Sequence, residues 1–175
     1  MDTVIDGSKY GSAKKYAQEV SEKTGFELKS YDEVNDINSF NTIIYIGSLY
    51  AGGVTGMQKT FKKLTKVKDK KIIIATVGIA DPENKENTDH IKDGMKGQLS
   101  EEVFDHAKIF HLRGAIDYSK LSFKHSMMMK MLVKMVVAKL PEEKQNAETE
   151  AMLETYNKQV DFIDFETLKP LLECV

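Results

Sequence analysis

The stretch VIDGSKYGSAKKYAQEV, Val4 to Val20, gathers residue types that suit an anion. Two apolar residues lead into Gly7, Ser8, Lys9, Tyr10, Gly11 and Ser12, and a helical pattern follows. Glycines let backbone N–H groups turn inward, and the start of a helix adds unpaired N–H groups with partial positive charge. Ser8 and Ser12 bring hydroxyls, and Lys9 a cation. The chemistry on offer is therefore phosphate binding. The loop lacks the Gly-Lys-Ser/Thr ending of a nucleotide P-loop, and it is not GxGxxG, which disfavours a dinucleotide. A tight strand-to-helix turn without a ligand accounts for the same residues equally well.

Other chemistry-bearing residues give less. His90, His106, His111 and His125 show no paired metal-ligand spacing, and His111 alternates with apolar neighbours as a structural strand residue would. Asp105 and His106 are sequence neighbours on a helix and do not face one another. No Ser–His–acid set can be argued. Lys66 to Lys71, KVKDKK, and the acidic stretch beginning at Pro141, PEEKQNAETE, read as solvated. Asp117 and Tyr118 follow a strand end, where they either reach a ligand or simply make a turn. The single cysteine, Cys174, has no internal partner, which fits a reducing, cytoplasmic setting. A net charge of −2 argues against a nucleic-acid partner. No apolar run approaches the roughly 20 residues that span a bilayer, and no signal peptide is visible.

The elements that must position these residues alternate. With 175 residues the chain has the length of one domain. Thr3–Ile5 reads as a short strand. Ala13, Tyr16, Ala17 and Val20 recur at helical spacing, and Gly25 stops that helix. Phe26–Tyr31 alternates as an edge strand does. Ile43–Ile46, Ile72–Val77 and Ile109–Leu112 are apolar runs suited to strands buried on both faces. Thr55–Leu64 and Ser100–His106 read as helices, the latter with Ser100 as N-cap. Asp81–Gly97 reads as a polar insertion. The expected fold is α/β, a five-stranded parallel sheet with helices on both faces. Ligands in such sheets sit at the carboxyl ends of strands where strand order reverses. Gly7–Ser12, Gly47–Gly53 and Gly78–Asp81 all follow strand ends, so three loops are expected on one rim.

Those loops, GSKYGSAKKYA, IIYIGSLYAGG and IIIATVGIADPE, resemble the flavodoxin-like family in order and spacing. The resemblance implies a non-covalent FMN cofactor. Ser8, Lys9, Tyr10, Gly11, Ser12 and Ala13 would line its phosphate. Ser48, Leu49, Tyr50, Ala51, Gly52, Gly78 and Ile79 would flank its ring, and Asp117 would reach its edge. Two departures stand out: Ala13 replaces a third hydroxyl residue, and Asp6 puts a carboxylate where an apolar or aromatic residue is usual. Downstream, FHLRGAIDYSKLSFKHSMMMKMLVKMV and VDFIDFETLKPLL resemble the menaquinone-dependent protoporphyrinogen oxidase branch of that family. That implies an oxidoreductase working between a porphyrinogen and a quinone, with no catalytic side chain required. An electron carrier docking on a redox partner protein, and an FMN-free interaction module, remain open alternatives.

The extra segment is a Met- and Lys-rich helix at about 119–140, roughly 30 Å long, followed by a charged connector at about 141–159 that Pro141 begins. Two readings of the helix stand side by side. It is a core helix whose lysines reach past its edge to water, or an adaptable apolar surface for a flat substrate or a membrane interface. The second implies a cytoplasmic protein in peripheral contact with the inner face of the membrane. Asp164 caps a last helix, Phe165–Glu173.

Overall fold

A computed structural model of the chain describes residues 1–139 and 146–175. Five strands form the central sheet: β1 Asp2–Gly7, β2 Glu27–Ser30, β3 Thr42–Tyr50, β5 Lys71–Gly78 and β6 Lys108–Arg113. They are parallel, in the order β2-β1-β3-β5-β6. A two-residue strand, β4 (Gly53–Val54), pairs antiparallel with the end of β3. The chain moves outward from β1 to β2 and then crosses back to β3, so strand order reverses between β1 and β3.

Alternate residues of the strands build two cores. Ile5, Ile43, Tyr45, Ile72 and Ile74 face one side, where α2 (Met57–Phe61), α3 (Lys85–Lys96) and α4 (Glu101–His106) cover them. Val4, Ile44, Ile46, Ile73 and Ala75 face the other, under α1 (Ser12–Thr24) and α7 (Lys169–Leu172). Residues such as Ile44 and Ile73 are 0% exposed. This is why the central strands are continuous apolar runs: both faces of each leave water, at roughly 25 cal/mol for every Å² of apolar surface.

The elements differ from the sequence reading in several places. Asp81–Gly97 is not a plain insertion, for α3 lies inside it; Asn84 caps α3 by accepting from Asn87 N–H at 3.0 Å. The segment Gly47–Gly53 is only partly loop, because β3 runs on to Tyr50 and turns back as β4. The second helix is shorter than expected, Met57–Phe61. Lys70 in the KVKDKK run is buried, its ammonium donating to Asn38 O at 2.8 Å and Phe40 O at 2.5 Å. The expected connector contains α6 (Ala147–Thr155) and β8 (Gln159–Asp161), while its beginning at Pro141 lies outside the described residues. Two caps stand as expected: Ser100 accepts from Val103 N–H, and Asp164 from Glu166 N–H, although the last helix begins as a 3-10 turn.

After β6 the chain leaves the sheet. β7 (Ala115–Asp117) pairs antiparallel with β8, and the segment between them carries α5 (Phe123–Lys139) and α6 out over the carboxyl ends of the strands. α5 begins later than Ser119, because Tyr118–Lys120 is a 3-10 turn capped by Asp117 and Ser122 caps the helix proper. Among the described residues of α5 none is buried, so it is not a core helix. Among the described residues, no helix is long and apolar enough to cross a membrane.

Candidate functional site

The first loop is stitched from its own donors. Ser8 Oγ accepts from Gly11 N–H at 2.8 Å. Gly11 sits at φ 98° as the N-cap of α1, a left-handed conformation that side chains resist. It brings no side chain to cap the helix, so the first-turn N–H groups of Ser12, Ala13 and Lys14 have no intrahelical acceptor and no side-chain cap. Gly7 is required for another reason. A Cβ there would strike the Thr55 carbonyl and the Tyr45 hydroxyl, which are themselves hydrogen bonded at 2.5 Å.

Ser48 joins the first and second loops. Its hydroxyl accepts from Lys9 N–H and donates to Gly7 O, both at 3.1 Å. Ser12 Oγ binds the other way, donating to Ala115 O at 3.2 Å and accepting from Ala115 N–H at 3.0 Å, which pins β7 to the start of α1. Tyr16, buried under α1, donates to Arg113 O and accepts from Asp164 N–H. The third loop is held by Gly114 N–H donating to Gly78 O at 2.7 Å and by Arg113 Nε donating to Ile79 O at 2.9 Å. Gly78, Gly114 and Ile79 therefore move as one with the β6–β7 corner.

Between these loops lies a cavity of about 870 Å³, within the usual range for small-molecule sites. It opens at the carboxyl ends of β1, β3, β5 and β6, beside the reversal of strand order, where open α/β sheets bind ligands. Of the residues singled out in the sequence, Lys9, Tyr10, Gly11 and Ser12 line it, as do Ser48 to Gly52, Gly78, Ile79 and Asp117. Ser8 and Ala13 do not. Ser8 is turned into the loop, and Ala13 is wholly buried beneath α1 with Val4 and Ile46. Asp117 is engaged as a turn cap: its carboxylate accepts from Ser119 and pairs with Lys120 at 3.5 Å. The Ser119 hydrogen bond leads the causes that hold it below the ordinary carboxylate range.

The sequence reading offered the Met- and Lys-rich helix as a cover for a flat substrate but did not place His125 in the site. His125, in the first turn of α5, reaches down between Tyr10 and Tyr50. Its Nδ1 pairs with the Tyr10 hydroxyl and its Nε2 with the Tyr50 hydroxyl at 2.5 Å. Both tyrosine rings meet the imidazole edge-on, at centroid distances of 5.5 and 5.1 Å, and Lys9 Nζ stands 5.0 Å from the Tyr50 ring centre. Met128, Met129 and Leu132 continue the lining along α5, and Met152 and Thr155 add to it from α6. Nothing local in the sequence marks His125. Only the pairing of β7 with β8, over forty residues apart, brings α5 back across the site.

Three buried polar groups bear on the electrostatics. Asp6, at the end of β1, has a buried Oδ1 with no hydrogen-bond partner among the described residues, and burial raises its pKa against the opposing effects of Ser8 N–H and Lys14. His111 pairs through Nδ1 with the Thr76 hydroxyl at 2.7 Å, and burial, helped by the charge of Lys92, lowers it to about 4. It lines the cavity as a neutral ring at pH 7. Tyr45 titrates far above its ordinary range because it is buried.

A family model described as the flavodoxin domain matches residues 3–144. The chain belongs to the flavodoxin-domain family. Its fold is that of the family, which fits a flavin. Similar solved structures include a flavodoxin mutant from Pseudomonas aeruginosa, at 12% identity and TM-score 0.41, covering 78% of this chain and 95% of that one. A putative flavoprotein from Bacteroides uniformis has 10% identity and TM-score 0.45, covering 74% and 97%. A flavodoxin from Streptococcus pneumoniae has 13% identity and TM-score 0.36, covering 79% and 99%. No curated protein matches the chain.

Proposed function

We propose that this flavodoxin domain holds FMN non-covalently and acts as an oxidoreductase on a flat, apolar partner admitted beneath α5. The observation that carries the reading is a cavity at the strand-order reversal that meets the uncapped N-terminus of α1. The first-turn N–H groups of Ser12, Ala13 and Lys14 would hold the phosphate, with Lys9 and Lys15 near enough to the cavity to offset its charge. Tyr50, Gly52, Gly78 and Ile79 would bound the ring. The flavin, when bound, supplies the transfer of electrons. The chain supplies position, a dry ceiling and the choice of partner.

The α5–α6 roof favours the enzyme over the simple carrier. A carrier works through an exposed cofactor edge, whereas Met128, Met129 and Leu132 form a soft apolar ceiling suited to a second ligand. The finer form of the proposal is a quinone-linked oxidation of a porphyrinogen, as the downstream resemblance implies. It is tested by loading the protein with FMN and supplying a porphyrinogen and a menaquinone analogue without oxygen. Porphyrin fluorescence should rise only when protein, FMN and quinone are all present. If the loaded protein instead reduces a redox protein and leaves the porphyrinogen untouched, it is a carrier.

One observation favours the FMN-free module. The N–H groups of Lys9 and Gly11 and the hydroxyl of Ser12 are already satisfied within the protein, and Asp6 lies buried at the end of β1. Failure to bind added FMN would establish that reading in place of ours.

A further inference from the structure

α5 is apolar on two opposite sides. His125, Met128, Met129 and Leu132 face the cavity. At 3.6 residues per turn the other side carries Phe123, Met127, Lys130, Lys134 and Val137, with Met131 at its flank. Phe123 is 83% exposed, Met127 53%, Met131 58% and Val137 66%. A helix that is apolar all round is normally buried, and a cluster of exposed large apolar side chains marks a surface that meets something. Among the described residues, nothing covers this one.

The charges on the helix narrow the choice. Lys124, Lys130 and Lys134 are exposed, and no Asp or Glu occurs from Tyr118 to Lys139. The acidic residues of neighbouring α6 are Glu148, Glu150 and Glu154. Glu148 lines the cavity on the inner side, and among the described residues none of the three forms an ion pair with an α5 lysine. The outer side is thus both apolar and uniformly basic.

We propose that the outer side of α5 docks on an anionic lipid surface, lying in the headgroup layer with Phe123, Met127, Met131 and Val137 inserted. The lysines lie among the apolar side chains of this face, where their stems can run along the apolar surface while the ammonium groups reach anionic headgroups. A second copy of the chain is a poorer occupant, because two-fold pairing of this face sets Lys130 and Lys134 against their own copies. Among the described residues no helix is long and apolar enough to cross a membrane, so the docking proposed is of α5 lying along the surface. The proposal does not depend on the cofactor.

The test uses the full chain without added flavin and vesicles of phosphatidylcholine, with or without phosphatidylglycerol. Sedimentation with vesicles should require phosphatidylglycerol and weaken as salt rises. Replacing Lys124, Lys130 and Lys134 together by Gln should weaken partitioning about a hundredfold, since each lysine near such a surface contributes about fivefold. Replacing Phe123 and Met131 by Ser should abolish it at low salt too. Both variants alter exposed side chains, and unchanged thermal melting will show that they remain folded. The proposal is overturned by absence of binding to phosphatidylglycerol vesicles, or by binding that ignores either variant. It is equally overturned by a concentration-dependent dimer in sedimentation velocity that Met131→Glu dissolves, which would make the occupant a second copy.

Discussion

Ser12→Ala separates two roles open to one hydroxyl. In the structure Ser12 Oγ donates to Ala115 O at 3.2 Å and accepts from Ala115 N–H at 3.0 Å. Removing it breaks both bonds and leaves the Ala115 N–H without that acceptor. At about 1 kcal/mol net for each bond the loss is about 2 kcal/mol, with little compensation because Ala115 is only partly open to water. For a chain of this length that lowers Tm by about 4–8 °C. The assay is thermal melting without flavin. A change under 1 °C would refute the claim that Ser12 pins β7 to α1. The same variant then reports on the ligand. If Ser12 acts only through position, FMN and riboflavin should lose affinity alike. If its hydroxyl turns to the phosphate, FMN alone should lose about 1–2 kcal/mol, as a hydrogen bond to a charged group does.

Three further outcomes follow from the same geometry. Gly11→Val places a branched residue at φ 98° and should weaken FMN binding strongly; since a Cβ there meets nothing within 4 Å, strain of at least about 1–2 kcal/mol and not a clash is the cause, so Gly11→Asn should be milder in a titration. Asp6→Asn should tighten FMN binding and raise stability near neutral pH, because burial penalises the charged carboxylate. That gain should shrink as pH falls through the raised pKa of Asp6, because the wild-type carboxyl then takes up a proton and the penalty of burying its charge disappears. His111 stays neutral in the fold down to about pH 4, whereas the unfolded chain protonates it near 6.5. Stability should therefore fall as pH drops through that window, and His111→Gln should flatten the fall in denaturant titrations at stepped pH, whatever its cost at pH 7.

The parts of the fold that were legible in the sequence are those where one physical demand dominates. Ile43–Ile46 and Ile72–Val77 are buried on both faces and read as strands at once. The stripe Ala13, Tyr16, Ala17 and Val20 is the buried face of α1. α3 escaped because its buried residues are only Asn87 and Met95, too few to show a period. α6 escaped for a similar reason: AETEAMLET buries only Ala151 and Thr155. The rim loops were legible because glycine marks them, while the part of His125 in the roof was not. His125 joins the site through the pairing of β7 with β8, which no local pattern encodes. The breadth of apolar residues around α5 was visible, but whether they were buried depended on what covers the helix, and that is a tertiary fact.

The central claim is that the cavity at the N-terminus of α1 holds FMN by its phosphate. Titration of the purified protein with FMN and with riboflavin, followed by flavin fluorescence, tests it most directly. Saturable binding of FMN at tens of micromolar or tighter, about −6 kcal/mol or better, with riboflavin weaker, is the result expected. Absence of FMN binding at that concentration, or equal affinity for the two flavins, would contradict the claim.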